Sequence, residues 1–127
     1  GVEWINDSKG TNVGATVAAI SGLQNPVVLI AGGIAKDADF TALLDVAKTR
    51  VRAAILIGRD ADRIAEVLST EIPVQRAGSM DDAVAKAALT ARQGDTVLLS
   101  PACASFDMFS NFEHRGDEFR RCVGGLG

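Results

Sequence analysis

Short apolar runs alternate with segments of helical periodicity along this chain. The runs at residues 2–5, 27–30, 53–57, 74–75 and 96–99 are rich in β-branched side chains and predict five strands. The runs at 27–30 and 53–57 are apolar at every position. Continuous rather than alternating apolar character is typical of parallel strands that helices cover on both faces.

Apolar residues between these strands recur every three or four positions and predict helices. Four such segments contain residues 13–20, 40–47, 64–68 and 83–91, and a fifth runs from about residue 115 to 123, before Gly124 and Gly125. Asp60 or Asp62 is the expected cap of the third, and Ser79, three residues before Asp82, caps the fourth. The alternation predicts one α/β domain, a three-layer α/β/α sandwich with a Rossmann-like, mostly parallel sheet of five or six strands.

The polar and glycine-rich clusters mostly follow the predicted strands. They occupy residues 7–12, 31–36, 58–60, 77–79 and 100–105. In an open parallel sheet, the turns that follow the strands share one edge, outside the carboxyl ends, where such folds bind ligands. The pattern therefore predicts a single ligand site built from several distant stretches of sequence.

Composition and charge narrow the class of protein. The 127 residues carry a net charge of −3, with 47% hydrophobic and 23% charged residues, as in an ordinary globular domain. There is no basic stripe for nucleic acid and no apolar run long enough for a membrane span. Cys103 and Cys122 lack CxxC spacing and are expected to be reduced thiols. The strand at residue 2 starts with no lead-in, which suggests a domain cut from a longer protein.

The first cluster has features of an anion site. Lys9 supplies a charge, Gly10 permits close approach of the backbone, and Thr11 and Asn12 precede a helix whose first N–H groups attract anions. An ordinary helix cap at Thr11 or Asn12, beside a solvated Lys9, explains the spacing equally well. The order of residues is not that of a Walker A loop, because the upstream glycine is missing.

The clusters after the second and fifth strands add candidate groups. Gly32 and Gly33 permit a tight turn and Lys36 follows them, so two lysines near one edge suggest an anionic ligand, although an exposed turn is the simpler interpretation. The apolar stretch at 106–112 either forms a pocket wall or completes the core as a short helix. Catalysis by Cys103 is disfavoured, since His114 is the sole histidine, and no metal ligand set is evident.

Three stretches carry a resemblance to a known family. Residues 4–12 read WINDSKGTN, Gly32-Gly33 is followed by Lys36, and residues 98–107 read LLSPACASFD; the match continues at Phe109, 111–113, 115–116 and 118–119. These stretches, in this order, resemble the C-terminal domain of the Mur ligase family, most closely the members that add D-glutamate. The resemblance covers essentially the whole chain. A DNPR motif, which marks the members that add diaminopimelate or lysine, is absent from the sequence.

The resemblance implies a cytoplasmic, monomeric bacterial ligase of peptidoglycan synthesis. ATP would activate the carboxylate of UDP-N-acetylmuramoyl-L-alanine as an acyl phosphate, which the amine of D-glutamate attacks. The implied D-glutamate ligands are Thr11, Lys36, Ser105, and the backbone at Phe106 and Phe112. The implied nucleotide ligands are Asp7 and Lys9, with Lys9 near the reacting centre. No residue is assigned to catalysis with certainty and none to a metal.

The resemblance also implies that residues 1–127 are one domain of a larger enzyme. The UDP-binding domain and the central ATPase domain, which binds most of the ATP and Mg²⁺, would lie outside this chain. The chain alone is then expected to fold without catalysing ligation. Two other classes are the alternatives: a stand-alone Rossmann-like regulatory or ligand-binding module, and an interaction domain that exposes 106–112. A dinucleotide-binding oxidoreductase is disfavoured, because GxGxxG is missing after the first strand.

Overall fold

Five strands and five helices alternate along the described part of the chain. The computed structural model describes residues 1–35, 38–105 and 108–126. The strands are β1 (Glu3–Asn6), β2 (Val27–Gly32), β3 (Val51–Ile57), β4 (Val74–Arg76) and β5 (Thr96–Leu99). The helices are α1 (Val13–Ser21), α2 (Thr41–Arg50), α3 (Ala61–Leu68), α4 (Met80–Thr90) and α5 (Phe112–Gly124).

The strands form a single parallel sheet, in the order β1-β5-β2-β3-β4. Strand β5 therefore lies between β1 and β2, with Ile5 and Leu29 both in register with Leu98. The predicted three-layer α/β class is confirmed. The carboxyl ends of β1, β5 and β2 are neighbours at one edge of the sheet, so the turns that follow these three strands lie side by side.

Two apolar cores cover the two faces of the sheet. Leu29, Leu56 and Leu98 face helices α1, α2 and α3. Ile30, Ile55 and Leu99 face α4 and α5. Strands β2 and β5 are buried along their whole length, which explains why their sequences are apolar at nearly every position. Each fully buried Leu or Ile contributes about 1.5–3 kcal/mol of transfer free energy. No helix in the described part of the chain is long and apolar enough to span a membrane.

Three helices begin at side-chain caps. Asn12 accepts a hydrogen bond from the Ala15 N–H (2.8 Å), and Asn111 accepts one from the His114 N–H (2.7 Å). Ser79 accepts from the Asp82 N–H (3.1 Å), as predicted. The Asp82 carboxylate accepts from the Gly78 N–H rather than from Ser79, so the reciprocal bond reaches one residue further than in a capping box. Asn12, and not Thr11, is the cap of α1.

Asp60 occupies the predicted cap position of α3, but its side chain does not cap the helix. Its Oδ2 accepts from the Ala35 N–H (2.7 Å) instead, and Asp62 lies inside α3. The Ala35 N–H holds the pKa of Asp60 below its ordinary value. The Asp60 side chain therefore joins the turn after β3 to the turn after β2.

Several predicted boundaries also shift. Strand β1 runs one residue later than expected, because its extent follows its four-residue pairing with β5. Strand β3 begins at Val51, two residues early, where it pairs with Val27 next to an irregularity in the register. Helix α5 begins at Phe112 rather than near Arg115, since Asn111 provides the cap, and it ends at Gly124, one residue beyond the predicted end.

Candidate functional site

The turns after β1, β5 and β2 are joined to one another by backbone hydrogen bonds. The Ala102 N–H donates to the Gly10 carbonyl (2.9 Å), and the Gly32 N–H donates to Pro101 (3.0 Å). Ile34 and Ala104 form an isolated antiparallel bridge, with N–H···O distances of 2.9 and 3.2 Å. Together these three turns, residues 7–12, 100–105 and 33–35, are called the rim here. The prediction that they share one edge of the sheet is confirmed.

Asp7 is held in place by a buried serine. The Ser100 hydroxyl lies 2.8 Å from Asp7 Oδ2 and 3.0 Å from Thr16 Oγ1. Thr16 in turn donates to the Ser100 carbonyl (3.1 Å), and both Ser100 and Thr16 are fully buried. The Asp7 carboxylate therefore has a fixed orientation, and its remaining lone pairs can accept further hydrogen bonds.

Lys9 and Thr11 are exposed beside the first turn of α1. Lys9 and Asn6 line two open clefts on opposite sides of β1. One, of about 430 Å³, lies against α5 and is also lined by Glu113, Asp117 and Arg120. The other, of about 570 Å³, lies against the alanines of α1. The Lys9 ammonium is thus accessible to a ligand.

The two glycines at the end of β2 have the geometry that the sequence predicts. Gly32 and Gly33 have φ values of 128° and 135°, which L-residues rarely adopt. A Cβ on Gly33 would lie 2.2 Å from the Ala104 carbonyl oxygen. The close approach of the β2 and β5 turns therefore depends on glycine at this position.

Ser105 is the last residue of the rim turn after β5, and Phe112 is the first residue of α5. Ser105 is only 2% exposed, so a ligand would reach its hydroxyl only after neighbouring atoms shift. Its carbonyl accepts from the Phe109 N–H (2.9 Å). Met108 and Phe109 pack against the α4–α5 core, as expected for a segment that closes onto the sheet, whereas Phe112 is 39% exposed. Phe112 is the first residue of α5, where backbone N–H groups lack intrahelical acceptors.

Lys36 and Phe106, two of the expected D-glutamate ligands, lie outside the described residues. The structure describes the residue before each of them. Ala35 is tied to Asp60, and Ser105 follows the Ile34–Ala104 bridge. The described residues that precede the two candidates in sequence are therefore anchored in neighbouring turns.

Arg115 is the residue that sequence reasoning missed. It is 1% exposed, and its guanidinium donates to Ser8 Oγ (3.0 Å), the Ser8 carbonyl (2.7 Å) and the Cys103 carbonyl (3.0 Å). The spacing of residues indicates its burial, because Arg115, Phe119 and Cys122 recur at i, i+4 and i+7 on the buried face of α5. A cation on an apolar stripe indicates that buried acceptors face it.

The cysteines and the histidine have structural surroundings. Cys103 is buried in the core and Cys122 is buried beside α4. Burial, followed by a hydrogen bond to Asp81, raises the pKa of the Cys122 thiol to about 11. His114 Nδ1 accepts from the Ser110 N–H (3.0 Å) in the turn before α5. Among residues 1–35, 38–105 and 108–126 there is no group of three or more His, Cys, Asp or Glu that could hold a metal ion.

Comparison with known proteins identifies relatives of the whole chain. A family model described as Mur ligase, glutamate ligase domain, matches residues 1–103. UDP-N-acetylmuramoylalanine--D-glutamate ligase of Nitrosococcus oceani is 57% identical over 125 residues, which cover 97% of this chain and 28% of the relative. The enzyme of the same name from Pseudomonas putida is 55% identical over 130 residues, covering 99% of this chain and 29% of its own length. The chain thus spans less than a third of the curated relatives it matches.

Solved structures share the fold at low sequence identity. E. coli FolC in complex with ADP superposes with a TM-score of 0.59 and 23% identity, over 91% of this chain and 28% of that one. A domain from a putative UDP-N-acetylmuramate:L-alanyl-gamma-D-glutamyl-medo-diaminopimelate ligase of Haemophilus ducreyi gives a TM-score of 0.56 at 15% identity. That domain matches over 99% of this chain and 89% of its own, which supports the fold assignment.

Proposed function

The chain belongs to the glutamate ligase domain family of the Mur ligases, and we propose that it is the part of a D-glutamate-adding ligase that binds the amino acid. The identity of 57% to a UDP-N-acetylmuramoylalanine--D-glutamate ligase, over 97% of the chain, carries the substrate assignment. The whole enzyme would join D-glutamate to UDP-N-acetylmuramoyl-L-alanine. ATP would supply the driving force by forming an acyl phosphate, and the amine of D-glutamate would displace the phosphate through a tetrahedral intermediate.

The rim suits a ligand with two carboxylates. Such a ligand needs cations and N–H or hydroxyl donors, because charge-assisted hydrogen bonds are the strong ones. Thr11 supplies an exposed hydroxyl, and Phe112 supplies a backbone N–H at the start of α5. Ser105, on a neighbouring turn, would supply a second hydroxyl once the atoms that bury it shift. Lys36 and the backbone of Phe106 complete the proposed D-glutamate ligands. A lysine left without a carboxylate in a closed site is costly, so uncharged amino acids should be poor substrates.

The nucleotide would meet the other half of the rim. Asp7, oriented by Ser100, is the proposed contact for the ribose, and Lys9 is proposed to lie near the phosphates and the reacting centre. E. coli FolC, which shares this fold, is described in complex with ADP, in keeping with a nucleotide partner. The resemblance to the family assigns Mg²⁺ and most contacts to ATP to parts of the enzyme outside this chain.

A substitution of Lys36 tests the proposal in the longer ligase that contains this chain. Lys36→Ala should raise KM for D-glutamate by about tenfold or more, because losing a charge-assisted hydrogen bond costs about 1.5–3 kcal/mol. KM for ATP should stay within about twofold of its original value. The measurement is D-glutamate-dependent release of ADP at varied concentrations of each substrate.

Lys48→Ala is the matched control, because Lys48 lies in the last turn of α2, at the opposite end of the sheet. It should leave both KM values unchanged. Equal increases in the two KM values for Lys36→Ala would argue against the assigned role. A wild-type enzyme that releases no ADP in response to D-glutamate would overturn the proposed function itself.

A further inference from the structure

Arg115 joins two turns of the rim that are distant in sequence. Its Nε and Nη2 atoms donate to the hydroxyl and the carbonyl of Ser8, and its Nη1 donates to the Cys103 carbonyl. Ser8 belongs to the turn after β1, and Cys103 belongs to the turn after β5. One planar guanidinium thus fixes the separation of these turns.

The residues next to its partners are those that we assign to ligands. Ser8 lies between Asp7 and Lys9, the proposed nucleotide contacts. Cys103 lies two residues before Ser105, a proposed D-glutamate contact. The Ser8 hydroxyl, which accepts from Arg115, donates to the Phe112 carbonyl (2.6 Å) at the start of α5. The guanidinium is therefore connected to both proposed halves of the site.

Helix α5 is seated firmly enough to act as a support for this arginine. Asn6 Nδ2 donates to the Gly116 carbonyl (3.2 Å), and the Ser8 N–H donates to Asn6 Oδ1 (3.1 Å). A Cβ on Gly116 would lie 3.0 Å from Asn6 Nδ2, so the glycine permits the close packing of α5 on β1. With its helix fixed against the sheet, Arg115 has little freedom to follow a displaced turn.

We propose that Arg115 is a positioning residue that holds the nucleotide side and the amino-acid side of the rim in register for ligation. This inference rests on the proposed function. Arg115 acts through Ser8 and Cys103 rather than by contact with a substrate, because its side chain is buried. A displaced turn carries its ligand contacts with it, which weakens substrate binding and raises KM. Loss of the guanidinium should thus affect both substrates that meet at the rim.

The shape of the side chain is essential to this role. A lysine would keep the positive charge but has a single ammonium on a flexible stem, whereas the arginine fork serves three acceptors in a fixed geometry. Arg115→Lys therefore separates the geometry from the charge. Ser8→Ala is a second, milder variant: it removes the hydroxyl that joins Arg115 to Phe112 and leaves the Ser8 carbonyl in place.

The experiment uses the longer ligase that contains this chain, below its unfolding temperature, and measures KM for all three substrates. Arg115→Lys should raise KM for D-glutamate and for ATP by about tenfold each, and Ser8→Ala by about threefold. KM for UDP-N-acetylmuramoyl-L-alanine, which we assign to parts of the enzyme outside this chain, should change less than about twofold. Arg50→Lys is the control, since Arg50 also donates to a carbonyl (Leu23, 2.6 Å) but lies at the amino end of the sheet.

A purely structural role predicts a different result. Partial unfolding removes active enzyme, so it lowers kcat and leaves every KM unchanged; this outcome for Arg115→Lys would overturn the inference. If Arg115→Lys does not fold, Ser8→Ala decides by the same criterion. If the wild-type enzyme releases no ADP in response to D-glutamate, both the inference and the proposed function are overturned. If the wild-type enzyme does release ADP but the variants have unchanged KM values, the inference alone is overturned.

Discussion

Gly33→Ala should strongly destabilise the rim. Gly33 has a φ of 135°, and a Cβ at this position would lie 2.2 Å from the Ala104 carbonyl oxygen and 3.2 Å from the Cys103 Cβ. The obstructing oxygen belongs to the backbone and accepts the Ile34 N–H (2.9 Å), so it cannot rotate away as a flexible side chain would. The turns after β2 and β5 must separate to admit a methyl group.

The expected cost follows from the contacts that are lost. Forcing a non-glycine residue into an unfavourable region of φ costs about 1–3 kcal/mol. Separation of the turns also breaks the two hydrogen bonds of the Ile34–Ala104 bridge, at about 1 kcal/mol each. The free energy of unfolding should therefore fall by about 3–5 kcal/mol, which at a urea m-value near 2 kcal/mol/M lowers the midpoint by about 2 M.

Substitutions of two other glycines distinguish the cost of an unfavourable φ from the cost of a steric clash. Gly94 has a φ of 92° but nothing within 4 Å of an added Cβ, so Gly94→Ala should cost only the backbone term, about 1–3 kcal/mol. Gly78, in the turn after β4, has neither a positive φ nor a close neighbour, and Gly78→Ala should change stability by less than about 1 kcal/mol. Urea unfolding of the three variants, followed by far-ultraviolet circular dichroism, gives the comparison.

The order of the three variants is the decisive result. The reasoning requires Gly33→Ala to be the least stable and Gly78→Ala to be the most stable. If Gly33→Ala unfolds at the same urea concentration as Gly94→Ala, the backbone accommodates the methyl group and the rim is not closely fixed. Equal stability of all three variants would refute the argument from φ as well.

Two further predictions concern the ends of the sheet. Asp95, 2% exposed, accepts from Arg52 Nε and Nη2 (2.6 and 2.9 Å), which hold its pKa below the ordinary 3.8. Its stabilising effect is therefore present above pH 3.8 and lost as pH falls through the depressed value. Asp95→Asn should lower the free energy of unfolding, measured in urea at pH 7, by about 2–3 kcal/mol, and this difference from the wild type should narrow in acid. Asp117→Asn, which breaks an exposed ion pair, is the control and should lower it by less than about 1 kcal/mol. Ser79→Ala, which removes the cap of α4, should cost about 1 kcal/mol, and an unchanged midpoint would contradict the capping argument.

The parts of the fold that depend on apolar pattern could be predicted from sequence. Strands β2, β3 and β5 are apolar because both faces are covered. Which turns meet depends instead on the order of the strands in the sheet, β1-β5-β2-β3-β4, which differs from their order along the chain. The boundary of α5 could not be placed by periodicity. Its first turn contains the charged residues Glu113 and His114, and its start is determined by a hydrogen bond from the His114 N–H to Asn111. Local capping, rather than hydrophobicity, sets that end of the helix.

The tertiary hydrogen bonds could not be predicted from the sequence. Asp60 has the residue type and position of a helix cap, yet its carboxylate accepts the Ala35 N–H from a neighbouring turn, and nothing in the local sequence indicates that competitor. Arg115 is similar. Its spacing with Phe119 places it on the buried face of α5, but its acceptors are a serine hydroxyl and backbone carbonyls more than ten residues away. The identity of such acceptors depends on how the turns pack.

The rim thus combines two sets of polar residues with opposite exposure. Lys9 and Thr11, proposed to contact ligands, are exposed, and their side chains can adapt when a ligand arrives. Ser8, Ser100 and Arg115 are buried, and they fix the turns from which the first set extends. Buried polar groups must find partners as the chain folds, so their hydrogen bonds arrange the backbone before any ligand binds. These hydrogen bonds therefore fix the described turns of the rim before a ligand binds, and we propose that the remaining contacts come from outside the chain.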